Sequence, residues 1–223
     1  GERKLYDAMH LFSKEEIEQF GLVFNEARFT TPHINRCFLP ELFGDLTDEV
    51  VDAYLAQSSS NHYVLKYFCN TQQKIEALFA DKTDATSQRI KLGLFTIANE
   101  VLFLRDPKQP ERFHPRISAD HSYIYRELNH SDRQAFDQLY WHFFYHRHND
   151  FWKAQAYKRL TPLVASTEML VCGEDLGMIP ATVPEVMNRL QILSLEIERM
   201  PKTPDREFAD MFHLPYHSVC TTS

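Results

Sequence analysis

The stretch "MLVCGEDLGMIPATVPEV", residues 169–186, indicates the fold class of the C-terminal part of the chain. An apolar run typical of a β-strand reaches Gly173 and is followed by two adjacent carboxylates, Glu174 and Asp175. A helix pattern that contains prolines comes next. The stretch therefore predicts a strand, a loop that carries two acids, and a helix that begins near Thr182.

The residues that follow continue this alternation of strands and helices. After the helical pattern of 183–190, the segments "ILSLEIERM" (192–200) and "YHSVCTTS" (216–223) have the composition of strands. Strands that alternate with helices at this spacing pair in parallel. We therefore expect residues 161–223 to form consecutive βα units in an α/β fold.

The rest of the chain is predicted to be mainly helical. "SKEEIEQF" (13–20) has the Ser and Glu of a capping box, and apolar residues recur at helical spacing in three later segments. These segments are residues 46–57, 71–80 and 87–104, with Thr47 as a cap for the first. A connector with three prolines (105–118) precedes a second helical stretch, which Ser131 is expected to cap. The predicted domains are thus a helical subdomain (1–115), a second helical region (116–160) and the βα units.

Composition excludes some classes of protein. The chain has 223 residues, a net charge of −7 and only 6 glycines. A negative chain argues against a nucleic-acid surface, and few glycines argue against a glycine-rich nucleotide site. The expected partner is a small neutral or cationic molecule, or there is none.

The cysteines indicate a reducing compartment. The four cysteines form no CxxC pair, and we predict free thiols in a cytoplasmic protein. Cys172 and Cys220 lie in apolar strand-like runs, where a thiol behaves as a small hydrophobe. No apolar run reaches 18 residues, so we expect no contact with a membrane.

Glu174 and Asp175 are the first candidates for chemistry, because functional residues of parallel α/β folds collect where strands end. Gly173 is expected to let the backbone turn, and Gly177 to allow a conformation that a side chain would obstruct. Neighbouring acids can have different pKa values, so one could donate a proton while the other orients the loop or binds hydroxyls. Alternatively, both acids interact favourably with the dipole of the helix that begins near Thr182, or sit solvated on a turn.

The run from residue 171 to 202 resembles the 4-α-glucanotransferases, the amylomaltase or disproportionating-enzyme family. It is most similar to the subgroup with the plant cytosolic disproportionating enzyme and its bacterial relatives. The residues that carry the resemblance are "GEDLG" (173–177), "RMPK" (199–202), "FHPRIS" (113–118) and the strand "SVCTTS" (218–223).

The resemblance implies a partial (β/α)₈ barrel with a large α-helical insertion, over roughly residues 10–150. It implies that Glu174 is the general acid/base of a retaining transfer of α-1,4-glucan segments, with no cofactor and no metal. The family's nucleophilic Asp lies in an R-x-D-H motif, which is absent from this sequence, since Asp120-His121 lacks the Arg. Another essential Asp of the family follows the strand that ends at Ser223. We therefore expect an internal fragment that is inactive alone.

Arg199 is a candidate for substrate binding, because it follows a predicted strand. The alternative is an ordinary ion pair with Glu196 or Glu198.

An aromatic and histidine-rich stretch (139–152) leaves further alternatives open. His142 and His146 are four residues apart, a spacing that suits metal ligands on one helical face, although no further ligand motif supports a metal. Trp141 and Trp152 could stack on sugars, or could simply pack in the core. His114 and Arg116 could line a cleft or fix the helical part to the rest. A glucan-binding or oligomerisation module, including a homo-oligomer, is the alternative function.

Overall fold

The computed structural model describes residues 10–177, 179–203 and 206–221. Close packing divides the chain into two compact units. The first, the helical unit, comprises Leu11–Leu139, and the second, the α/β unit, comprises the residues from Tyr140 onward together with His10. Among the described residues, no helix is both long enough and apolar enough to span a membrane.

The described residues of the helical unit contain eight α-helices, most of them short. They are α1 (Lys14–Glu18), α2 (Glu26–Thr30), α3 (Leu39–Phe43), α4 (Thr47–Tyr54), α5 (Gln72–Leu78), α6 (Ala85–Ala98), α7 (Tyr123–Arg126) and α8 (His130–Trp141), the last of which continues into the α/β unit.

Side-chain caps fix where several of these helices begin. The capping box of α1 is confirmed: the backbone N–H of Glu16 donates to the Ser13 hydroxyl, and Ser13 N–H donates to the Glu16 carboxylate. Thr47 is not a cap but the first residue of α4, and its hydroxyl donates to the Gly44 carbonyl. Ser131 is also not the cap of α8, because the side chain of Asn129 accepts from Asp132 N–H at 2.8 Å.

Two small antiparallel sheets complete the helical unit. One has the order β1-β3-β2, and the other pairs β4 with β5. The strands are β1 (Ile34–Asn35), β2 (Leu55–Gln57), β3 (His62–Leu65), β4 (Phe103–Arg105) and β5 (Phe113–Pro115). Two helix predictions were therefore too long, because residues 55–57 and 103–105 pair as strands. Over so few residues, apolar periodicity does not distinguish the end of a helix from a short strand.

Helix α6 positions the core of this unit. Asp84 caps it by accepting from Ser87 N–H, and Ile90, Leu94 and Ile97 form its buried stripe. The ring of Phe43 packs against the helix backbone at Gly93, and both lie in the apolar core around Val50 and Leu55.

The α/β unit contains the parallel strands that the sequence predicted. After the end of α8, a π-helical turn (His142–His146) interrupts the helical stretch, which then continues as α9 (Asn149–Ala165). The remaining elements are β6 (Cys172–Gly173), α10 (Val183–Leu190), β7 (Leu193–Ile197) and β8 (Ser218–Thr221).

Strands β6, β7 and β8 form one sheet in that order, and both pairs are parallel. Leu193 lies opposite Cys172, and Leu195 lies opposite Val219. Helix α10 crosses between β6 and β7 and buries Val183 and Met187 beside Ile192 and the partly buried Trp152.

The expected helix-rich α/β class is confirmed. All four cysteines are free, but Cys172 and Cys220 are exposed, so the expectation that they act as core hydrophobes was wrong. Both lie in strands whose outer faces are open within the described residues. The boundaries at residues 115 and 160 assign segments to an insertion and a barrel, and they stay predictions.

We predict that Gly93→Ala destabilises the helical unit, although Ala favours helix over Gly. An added Cβ would lie 2.6 Å from Cζ of Phe43, and still closer to Cε1. Overpacking of this kind costs about 1–3 kcal/mol. Urea unfolding, monitored by far-UV circular dichroism, measures the decrease in the free energy of unfolding.

The matched control is Leu92→Ala, the neighbouring residue on α6, whose side chain is exposed. It should change the free energy of unfolding by less than about 0.5 kcal/mol. A Gly93→Ala chain as stable as the unmodified one would contradict the packing described for Phe43.

Candidate active site at the end of strand β6

Glu174 lies directly after the carboxyl end of β6, at the sheet edge where the sequence predicted it. Its side chain is exposed, and its Oε1 accepts from the backbone N–H of Leu176 at 2.8 Å. That hydrogen bond holds the carboxylate over its own loop while leaving it open to solvent. An exposed, loop-fixed carboxylate is able to exchange a proton with a bound molecule.

Asp175, the adjacent acid, points the other way and is buried, with 5% of its surface exposed. Its Oδ1 accepts from Leu195 N–H at 3.0 Å, and its Oδ2 accepts from the Ser194 hydroxyl at 2.9 Å. These contacts join the loop after β6 to strand β7. Asp175 thus extends the pairing of the two strands beyond their last backbone partners.

Lys202 completes a buried polar cluster, which consists of Asp175, Ser194, Glu196 and Lys202. Its Nζ lies 2.7 Å from Asp175 Oδ2, 2.8 Å from Glu196 Oε1 and 2.6 Å from Ser194 Oγ. Ser194 and Glu196 alternate along β7 and therefore share one face of the sheet. One ammonium group, with 29% of its side chain exposed, thus binds two buried carboxylates.

The charges in this cluster shift one another's titration. Burial raises the pKa of Asp175, but hydrogen bonds from Lys202 and Ser194 outweigh it, and the net pKa lies below the usual value. Burial lowers the pKa of Lys202, but hydrogen bonds to Asp175 and Glu196 outweigh it, and the net pKa is raised. Both groups are therefore charged at neutral pH.

The two glycines of the loop have different roles. Gly177 has φ +75°, the left-handed region that favours glycine, as expected. Gly173 does not turn the chain through a positive φ; a Cβ there would lie 3.0 Å from Met187 Cε and 3.3 Å from Ile192 Cγ2. Gly173 thus allows helix α10 to approach the strand, and the expected sharp turn was wrong.

Arg199 lies in the turn after β7 and is exposed. Within the described part of the chain it makes no ion pair with Glu196 or Glu198, and Glu196 binds Lys202 instead. Its predicted role in substrate binding stays a prediction.

A cavity of about 560 Å³ borders the polar cluster. Its polar lining includes Glu196, Lys202, Asp210 and His213 but not Glu174. Hydrogen bonds from Arg206 and His213 lower the pKa of Asp210 to about 2. The volume is within the usual range for small-molecule sites, about 300–1,000 Å³.

Among the described residues, the histidines of 139–152 do not form a metal site, and stacking of Trp141 on a sugar stays a prediction. His142 and His146 lie in the π-helical turn rather than on one face of an α-helix, and among the described residues they join no cluster able to hold a metal. Trp152 packs on the core of the α/β unit, as one alternative predicted. Trp141 instead is 56% exposed, with its ring centroid 4.1 Å from that of His146.

His114 and Arg116, the candidates on the connector, lie in the helical unit on or just after β5. Burial lowers the pKa of His114, whose Nδ1 lies 3.3 Å from the Pro115 carbonyl. Arg116 lines a cavity of about 350 Å³ in that unit.

Lys202 is the residue whose importance the sequence did not show. It lies 27 residues from Asp175 and beyond two elements, so no local spacing joins them. The available signal was the "RMPK" segment, which points to the residue but not to its partners.

Comparison with known proteins gives one family. A family model described as 4-alpha-glucanotransferase matches residues 43–223. The curated "4-alpha-glucanotransferase DPE2" of Oryza sativa subsp. japonica is 32% identical over 216 residues, which is 95% of this chain and 23% of that protein. The chain thus spans about a quarter of the length of this relative. No solved structure gives a significant match.

We predict that Lys202→Met destabilises the α/β unit. The substitution leaves two buried carboxylates without their cation, at a cost of roughly 2–4 kcal/mol, somewhat less than for a fully enclosed pair. Because the folded-state pKa of Asp175 is depressed, its contribution is present above about pH 4 and is lost as the pH falls through that pKa. The raised pKa of Lys202 makes its contribution present below about pH 10.4 and lost at higher pH.

Urea unfolding between pH 2.5 and pH 8 checks the destabilisation and its dependence on acid pH. The difference in the free energy of unfolding between the original chain and Lys202→Met should be largest near neutral pH and should shrink under acid conditions. Lys153→Met is the control, since Lys153 pairs with the exposed Glu185 in the same unit. This substitution should lower the free energy of unfolding by less than about 1 kcal/mol. An equal loss in the free energy of unfolding for Lys202→Met and Lys153→Met would contradict the stabilising role of the polar cluster.

Proposed function

The chain belongs to the 4-alpha-glucanotransferase family, and on this premise we propose that Glu174 is the general acid/base of a retaining α-glucan transfer. The observation that carries the proposal is that Glu174 is exposed at the carboxyl end of a parallel strand while its neighbour, Asp175, is fixed beneath it. Such strand ends are where α/β folds place reacting groups.

The proposed reaction has two steps. Glu174 first protonates the 4-oxygen of the departing glucan while a carboxylate nucleophile attacks the anomeric carbon. The bond between the anomeric carbon and the 4-oxygen breaks, and a glycosyl-enzyme forms. Glu174, now ionised, then removes the proton from the 4-hydroxyl of an acceptor glucan, which displaces the nucleophile. Two inversions give net retention.

Asp175 does not fit the nucleophile of this reaction. Its oxygens are engaged by Leu195, Ser194 and Lys202, and it is buried. A retaining enzyme also places its two carboxyl groups about 5 Å apart across the sugar, whereas adjacent side chains here point in opposite directions. We assign Asp175 a positioning role: it holds the loop so that Glu174 stays at the strand end.

The parallel sheet supports a finer fold proposal. In a (β/α)₈ barrel, alternate side chains of each strand point into the barrel. We propose that β6, β7 and β8 are consecutive strands of such a barrel, with Ser194, Glu196 and Asp175 on its inner face. The helical unit is then the insertion implied by the sequence.

The substrate follows from the same proposal. A donor and an acceptor glucan would lie along the strand ends, and the cavity beside Lys202, Asp210 and His213 offers polar groups for sugar hydroxyls. Transfer exceeds hydrolysis when the acceptor site holds a glucan and excludes water. Cytoplasmic location and chemistry without a cofactor belong to this proposal as well.

We predict that Glu174→Gln, made in the whole protein, lowers glucan transfer by about 10²–10⁴-fold, the usual contribution of a general acid/base. Gln keeps the shape and the bond from Leu176 but cannot donate the proton. Disproportionation of maltooligosaccharides, followed by product chromatography, measures the rate. The 223 residues alone should show no transfer, because one free carboxylate does not suffice.

A glycosyl fluoride donor separates proton donation from a structural role. Fluoride departs with little need for a proton, so the first step should be far less impaired in Glu174→Gln than with a sugar leaving group. Glu168→Gln is the matched control, since Glu168 is exposed on the loop before the same strand. Full transfer rates in Glu174→Gln would end the proposal.

A further inference from the structure

Three side chains in the helical unit come together far from Glu174 in the sequence. They are His33, His62 and Glu127, and each offers one ligand atom such that the three atoms lie within 4.8 Å of one another. His33 directly precedes β1, His62 begins β3, and Glu127 directly follows α7. The backbone pairing Asn35–His62 between β1 and β3 brings the two histidines together.

Each of the three side chains is oriented by another group. Nδ1 of His33 lies 2.9 Å from the Thr31 carbonyl, which can only accept, so Nδ1 carries the proton and Nε2 keeps a lone pair. Nδ1 of His62 lies 3.2 Å from the Ser59 hydroxyl, which suits either tautomer. The Asn35 amide donates to Oε1 of Glu127 and leaves Oε2 toward His62.

This is the outer-shell pattern of bound metals, in which the second nitrogen of each histidine is fixed by a carbonyl or hydroxyl and the carboxylate is itself hydrogen-bonded. The side chain of His62 is 30% exposed and that of Glu127 is 12% exposed, which leaves a path from solvent.

We propose that His33, His62 and Glu127 form a site for a divalent transition metal, and that this metal is Zn²⁺. Two histidines and one carboxylate are a common zinc ligand set that leaves one position for water. Bonds of about 2.0–2.2 Å in tetrahedral geometry place ligand atoms about 3.3–3.5 Å apart. His62 Nε2 and Glu127 Oε2, at 3.1 Å, already approach this spacing.

Metal binding at this site would stabilise the helical unit. Metal binding would join the sheet of β1 and β3 to the end of α7, two parts of the helical unit otherwise linked here by hydrogen bonds from Asn35 and His62 to Glu127. The proposal does not depend on the function of Glu174, since it concerns other residues and a different ligand.

The experiment uses the untagged chain, stripped with chelator, reloaded with ZnCl₂ alone and passed through a desalting column. Elemental analysis should find about one zinc per chain, and zinc should raise Tm. Glu127→Gln, which keeps the shape of the side chain and one oxygen that can accept from Asn35 but removes the negative charge, should abolish both effects. Asn35→Ala, which removes only the orienting amide, should weaken binding about 10–100-fold.

His121→Ala is the matched control, because His121 is an exposed histidine of the same unit. It should bind zinc like the original chain. A reloaded original chain without zinc would overturn the proposal whatever the variants do. Retention of the same zinc by Glu127→Gln would also overturn it, since the metal would then be held by scattered histidines.

Discussion

The ion pairs of Lys202 with Asp175 and Glu196 are the interaction on which the candidate site depends. Two buried carboxylates on one face of a sheet repel each other. Each also loses its hydration, which costs free energy in the low-dielectric interior. A single ammonium group, on the turn after β7, offsets part of the cost of burying them. Because Asp175 is held in this way, the next residue toward β6, Glu174, is left at the strand end with its carboxylate exposed.

Parallel pairing gives this arrangement its chemical meaning. Antiparallel neighbours would put the end of one strand beside the start of the next, whereas β6, β7 and β8 all run the same way. Their carboxyl ends therefore share one edge, and loops at that edge can contribute to one site. Under the proposed function, the exposed acid at this edge is the group that protonates a glycosidic oxygen. The helical unit carries a separate cluster whose chemistry is that of metal ligands.

Local chemistry made part of this structure predictable. The spacing of the valines and Met187, together with the early proline, predicted both ends of α10 correctly. The Ser13 capping box predicted the start of α1. Alternating strands and helices predicted the parallel sheet. Residues 55–57 and 103–105 could not be assigned from periodicity, because their pairing partners lie elsewhere in the chain. For the same reason, the partners of Lys202 and the cluster of His33, His62 and Glu127 could not be predicted, because these residues come together only in the folded chain.

The titration of Asp175, followed by carbon-13 NMR of its side-chain carboxyl, tests this account most directly. The account predicts a pKa below the ordinary value of 3.8, and a clear upward shift once the ammonium group of Lys202 is removed. A carboxyl that titrates at or above 3.8 in the unmodified chain would mean that burial outweighs its hydrogen bonds. Asp175 would then not be anchored as a charged group, and the positioning of Glu174 would need another explanation.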